Sequence, residues 1–178
     1  MGIPTLITTL TASGDSSLAD TSSMTSTYDE YMFVFTDIGP ATDNVTFHFQ
    51  VNASGESGYN ETMTTSYFVA YHDEGDSSTA LAYTGSQDQA QGTAYQPINN
   101  GLSNDADHAV NGVLHIFNPS STTYVTNFYS RSSGNDKDNF EIDAFMAGYV
   151  NATAAIDEIS FKMSSGNMDG VIQLYGIA

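Results

Sequence analysis

The chain has 178 residues, 40% of them apolar and 12% aromatic, enough for one domain with a sizeable core, which argues against wholesale disorder. Asp and Glu number 21 against 3 Lys and Arg, a formal net charge of −18, and Cys is absent. Three cations cannot neutralise many phosphates, which excludes nucleic-acid binding by counterion release and docking on anionic lipid; without Cys there are no disulfides, thiolate metal sites or Cys nucleophile.

The N-terminal residues MGIPTLITTLTASGDSS lack the basic start and long apolar run of a secretory signal, and Leu6 stands where a myristoylation pattern needs Ser or Thr. Residues 5–11 make a short strand candidate. Residues 11–27 (TASGDSSLADTSSMTST) are small, polar and unpatterned. They predict a linker or arm that orders only against a partner. The expected division is therefore an N-terminal arm over 1–27 and one β-domain over 28–178.

From residue 31 the dominant signal has period two. Val45, Phe47, Phe49 and Val51 share one side of a strand, and Thr46, His48 and Gln50 the other. Similar runs occupy 31–36, 65–71, 109–117, 124–130, 140–150, 156–163 and 171–175. Turn residues separate them: Gly39-Pro40, Ser54 to Gly58, Asn118-Pro119, Ser132 to Asn135 and Ser164 to Asn167. The only helical candidates are short, at 77–81 and 86–91. Residues 84–108 predict a long turn-rich insertion. The pattern predicts an all-β fold, a single jelly-roll-like antiparallel β-sandwich of about eight to ten strands with an extended N-terminal arm.

Candidate chemistry is sparse. The adjacent acids Asp73/Glu74, Asp136/Asp138 and Asp157/Glu158 look like a solvated surface, because strand alternation sends immediate neighbours to opposite faces. His48, His72, His108 and His115 are the only imidazoles; no G-x-S-x-G motif accompanies them. Asp136 and Asp138 on one loop, and Asp105 and Asp107 on another, offer the hard oxygens that Ca²⁺ prefers, without EF-hand spacing. The expected cofactor is none; among metals calcium ranks first, ahead of zinc or iron, for which His72 with Asp73 and Glu74 is the candidate group. Tyr83, Tyr95 and Tyr124 are candidates for a sugar-stacking platform, in a chain that has no Trp. The Asn-x-Ser/Thr triplets at Asn44, Asn52, Asn60 and Asn151 read as by-products of composition.

Several longer stretches stand out together. They are Tyr28-Asp29-Glu30-Tyr31-Met32-Phe33-Val34-Phe35, residues 71–74 (YHDE), residues 114–123 (LHIFNPSSTT), residues 156–167 (IDEISFKMSSGN) and the closing Gln173-Leu174-Tyr175-Gly176-Ile177. Across about 28–177 the chain resembles a family of structural proteins from tailed phages of marine bacteria, chiefly T7-like podoviruses and cyanophages. The resemblance implies a virion component, on the capsid surface or tail, made in the host cytoplasm. It carries no catalytic residue. In physical terms the last motif reads as a strand, a tight turn at Ser164 to Asn167 and a terminal hairpin in which Ile172 and Leu174 pair back.

The expected function is a non-enzymatic capsid decoration or cement protein bound to the major capsid protein, as a dimer or trimer. The alternative is a tail-fibre or spike module contacting host glycans through residues 84–108 and 131–139. A hydrolase ranks below both. The acidic surface also predicts a protein suited to seawater or brine, where salt screens its self-repulsion.

Overall fold

A computed structural model describes residues 2–178. Thirteen strands follow in chain order: β1 (Thr5–Asp15), β2 (Leu18–Asp20), β3 (Glu30–Pro40), β4 (Val45–Ala53), β5 (Met63–Asp73), β6 (Thr79–Tyr83), β7 (Ala90–Gly92), β8 (Gln96–Leu102), β9 (Val110–Phe117), β10 (Thr126–Asn135), β11 (Phe140–Val150), β12 (Ile156–Met163) and β13 (Met168–Ile177). They form an all-β sandwich of two antiparallel sheets. The larger has nine strands in the order β1-β13-β3-β9-β10-β11-β5-β6, with β7 also on β5; the smaller has the order β2-β12-β4-β8.

The core is the alternation made solid. Tyr31, Phe33 and Phe35 of β3 face Phe47 and Phe49 of β4 and Phe161 of β12, all buried. Their rings interlock across the layers: Phe35 meets Phe47 edge-on at 5.3 Å, and Phe33 lies 5.4 Å from Phe161. Such pairs add about 0.5–1.5 kcal/mol each beyond the area they bury.

The structure corrects four expectations. Residues 77–81 and 86–91 are not helical. The first span runs into strand β6, and the second is a turn leading into β7. The supposed insertion 84–108 contains β8, whose Gln96, Pro97, Ile98 and Asn99 are buried.

The N-terminal arm is laid on the sandwich instead of standing off it. β1 pairs with β13 from Thr5 opposite Gly176 to Asp15 opposite Met168, and β2 pairs with β12. Met24 is buried, and the Tyr31 hydroxyl ties down the next turn, donating to Thr25 O and accepting from Thr25 N. One buried Met and one tyrosine hydroxyl are too little pattern to announce order in a polar segment.

The terminal hairpin is also absent. β12 joins the small sheet and β13 the large one, so Ser164 to Asn167 form a corner between layers. That corner is pinned by Ser164 N to Thr46 O at 2.8 Å and Ala41 N to Asn167 O at 2.9 Å. Crossing the gap lets the apolar sides of both strands face one core.

β8 reaches its place because its neighbours are small. Ser132 of β10 donates to Ile98 O at 3.0 Å and accepts from Asn99 Nδ2 at 3.1 Å. A polar seam thus joins the layers where bulky side chains would hold them apart.

Candidate functional site: the outer face of the large sheet

Strand alternation sends one set of side chains of the nine-stranded sheet away from the core. On β10 these are Asn127, Tyr129, Arg131 and Ser133, all exposed, while Phe128, Ser130 and Ser132 are buried. An outward sheet face is normally polar. Here the register aligns apolar and aromatic groups into rows. Tyr83, Phe68, Phe145 and Arg131 lie on successive strands β6, β5, β11 and β10. Another row runs Tyr129, His115, Met32 and Tyr175 across β10, β9, β3 and β13.

The rings are stacked like plates on edge. Phe68 and Phe145 are parallel within 3° with centroids 4.8 Å apart, too close for rings lying side by side in one plane. The Arg131 guanidinium continues the stack 5.0 Å from the Phe145 centroid. His115 and Tyr129 stack at 4.7 Å, and Phe117 joins Tyr129 at 5.7 Å. The rings of Phe68, Phe145, His115, Phe117 and Tyr129 are spent on one another, while Tyr83 at the end of its row stands exposed outside the stack.

The one guanidinium on this face is matched within it. Arg131 donates to Asp143 through Nε at 3.1 Å and Nη2 at 2.8 Å, which holds its guanidinium pKa above the ordinary value. His115 pairs with Glu30 through Nδ1. Glu141, exposed on the same side of β11 as Asp143 and Phe145, meets only the Ser133 hydroxyl among the described residues, so the apolar rows sit beside a carboxylate that no cation offsets.

The chain matches no protein-family model and no curated protein.

The acidity gathers elsewhere. Asp37, Asp105, Asp107 and Asp169 line one depression at the end of the sandwich where β3 stops and β9 starts. Asp43 sits beside them, accepting from Asn104 N at 3.4 Å. Acids that are scattered in sequence become one acidic end in space.

The calcium candidates lie at this end, but as separate groups. Asp136 Oδ1 accepts the backbone NH of Asp138 at 2.8 Å and of Phe140 at 2.9 Å, which shapes the β10–β11 turn. Asp138 pairs with Lys137 at 2.5 Å. Asp105 faces His108 at 3.9 Å. Among the described residues, no three His, Asp or Glu side chains converge as a metal site.

The other sequence candidates also stay apart. Asp73 caps the β5–β6 turn, accepting from Ser77 N at 2.9 Å and Ser78 N at 2.7 Å; with the Ser77 hydroxyl, these bonds hold its carboxyl below the usual range. Glu158 accepts from Asn52 Nδ2 at 2.7 Å. His48 lies on the small sheet, His72 at the end of β5, His108 in the β8–β9 loop and His115 in mid-β9. Tyr83 is exposed on β6 and Tyr124 in the β9–β10 loop, while Tyr95 is half-buried under the Lys162 ammonium, 4.0 Å from its ring centroid. The three tyrosines form no common platform. A cleft of about 280 Å³ between the layers is lined by Val69, Tyr71, Phe140 and Ile142, with Asn100, Asp136 and Ser78 at its polar side.

Reading for one alternating face overlooked Phe68, Phe145, Phe117 and Tyr129 as a group. A usable signal was present. Tyr67-Phe68, Ile116-Phe117, Phe128-Tyr129 and Phe145-Met146 are adjacent large apolar residues within strands. Adjacent strand residues must point opposite ways, so each pair marks a strand apolar on both sides.

Proposed function

We propose that the chain is a non-enzymatic structural component of a phage particle, a capsid decoration or cement protein that lays the outer face of its nine-stranded sheet on the major capsid protein shell. One observation carries this reading: apolar and aromatic side chains aligned in rows across the outer face of the large sheet. Contiguous exposed apolar surface marks interaction sites. The acidic remainder keeps free copies soluble and complements basic patches on a shell. The phage assignment itself rests on the sequence resemblance.

The packing of Phe68, Phe145, Phe117 and Tyr129 on one another favours adhesion over sugar binding at those rings, because a sugar stacks on an open ring face. The glycan-binding tail module draws its support from Tyr124, which is 72% exposed in a loop. A glycan array separates the two: saturable binding lost in Tyr124→Ala favours the tail module.

The direct test of decoration is copy number, counted by quantitative mass spectrometry of purified particles. Many copies per shell are expected, and trace amounts overturn the reading. The face is tested by the double variant Tyr129→Glu/Phe145→Glu. It should keep its fold and lose particle binding at least about tenfold, the loss that about 1.4 kcal/mol of contact energy gives.

A further inference from the structure

Each sheet of an open sandwich has two edges, and proteins protect such edges from pairing with other chains. Three of the four edges here are protected. β2 has three residues and β6 has five. β8 carries Pro97, which has no NH to offer, and its first four residues are buried. The fourth edge, β1, has 11 residues and pairs only with β13.

β1 also lacks charged blocking residues. From Thr5 to Gly14 it has no Lys, Arg, Asp, Glu or Pro, and three of its four threonines are exposed. Irregularities at Leu6/Thr8 and Ser13/Asp15 bracket a regular run from Thr8 to Ser13. Along that run alternate backbone NH and C=O groups point away from β13, ready for another strand.

We infer that this edge pairs with the β1 edge of a second copy, antiparallel across a two-fold axis near Leu10, joining two large sheets into one. Three features favour a second copy over a foreign strand. First, an isologous contact needs a self-complementary segment, and β1 sets threonine against threonine, a favourable cross-strand pair. Second, the antiparallel register brings Asp15 of one copy near Thr5 of the other, so no like charges meet. Third, the Asp-rich end of the sandwich lies at the Asp15 end of β1, because Asp15 pairs with Met168 and Met168 with Pro40. The two-fold therefore sends the acidic ends of the copies in opposite directions. A parallel arrangement would set them side by side. The pairing leaves the outer face free, so it stands independently of the shell-binding function proposed above.

Cysteine trapping tests this on the full chain, which has no native Cys. Leu10→Cys, which faces its own copy across the axis, and the double variant Thr9→Cys/Thr11→Cys, whose two positions face each other, should each give a disulfide-linked dimer under mild oxidation. Ser133→Cys, on the outer face in mid-sheet, should stay monomeric. Sedimentation velocity of the wild type should show twice the 19.0 kDa chain mass. The dimer fraction should rise with NaCl as screening relieves repulsion. Thr9→Lys/Thr11→Lys should shift the protein to monomer with unchanged circular dichroism. A wild type that stays monomeric from low to high salt overturns the inference. So does cross-linking at Ser133→Cys equal to that at Leu10→Cys. Loss of particle binding alone bears only on the shell reading.

Discussion

His48 shows how one side chain ties the fold to pH. Its neighbours in register are Lys162 and Pro97, and its Nδ1 is buried without a hydrogen-bond partner. Burial, and secondarily the Lys162 charge, push its pKa from 6.5 down to about 4. The unfolded chain therefore binds a proton here below pH 6.5 that the folded chain refuses until about pH 4. Stability from this site is complete above pH 6.5 and is lost as pH falls to 4, by up to about 3 kcal/mol. Urea unfolding at pH 7.5 and pH 4.5 should show His48→Gln losing less stability than the wild type across that window. Equal losses would refute the assignment. Gly112 makes a steric demand on the large sheet. A Cβ there would lie 2.5 Å from Arg131 O and 2.7 Å from Ser132 Cα, both backbone atoms that cannot step aside. Gly112→Ala should cost about 1–3 kcal/mol by overpacking, measured by chemical denaturation.

At the scale of elements, legibility followed side-chain contrast. The runs at 45–51, 140–150 and 156–163 alternate strongly and became β4, β11 and β12 with closely matching limits. β8 reads Gln-Pro-Ile-Asn-Asn-Gly-Leu, where hydrogen bonds replace apolar contacts as the reason for burial. Hydropathy carries no trace of that exchange. Ser132 tests it, since its hydroxyl serves Ile98 O and Asn99 Nδ2 together. Ser132→Ala should lower stability by about 1–3 kcal/mol, the cost of leaving buried polar groups unpaired. The exposed Ser133→Ala should change it by less than about 0.5 kcal/mol. The polar side of β4 misleads in the same way. Gln50 reads as a solvent-facing residue, yet it is fully buried, with Nε2 donating to Glu61 O at 3.0 Å and Ala94 O at 3.1 Å. Loop segments fold over that side of the small sheet, and sequence alternation reports which side a residue takes, not what later covers it.

For the whole molecule, charge distribution matters more than its sum. Composition indicates repulsion, while topology concentrates part of it where Asp37, Asp43, Asp105, Asp107 and Asp169 converge. Salt should relieve that crowding. The melting temperature is expected to rise between roughly 0.01 and 1 M NaCl, as the screening length falls from ~30 to ~3 Å. A flat or falling curve in differential scanning calorimetry would contradict this. Adhesive surface and acidic end both depend on register, since distant residues meet only once strands are ordered. Period-two runs reveal that strands exist. The order β1-β13-β3-β9 is set by long-range pairing that no local window contains.

The pairing of Thr5 with Gly176 sets a timetable for synthesis. β1 has β13 as its sole neighbour in the sheet, and eleven strands lie between them in the chain, so β1 gains its partner only after those strands have been made. Two nascent copies on one message would each hold an unpaired β1 while β13 is still to come. Exchange of those strands between siblings is then a natural hazard of manufacture, and a tagged mixed-expression experiment would catch it as heterodimers that dilution cannot separate.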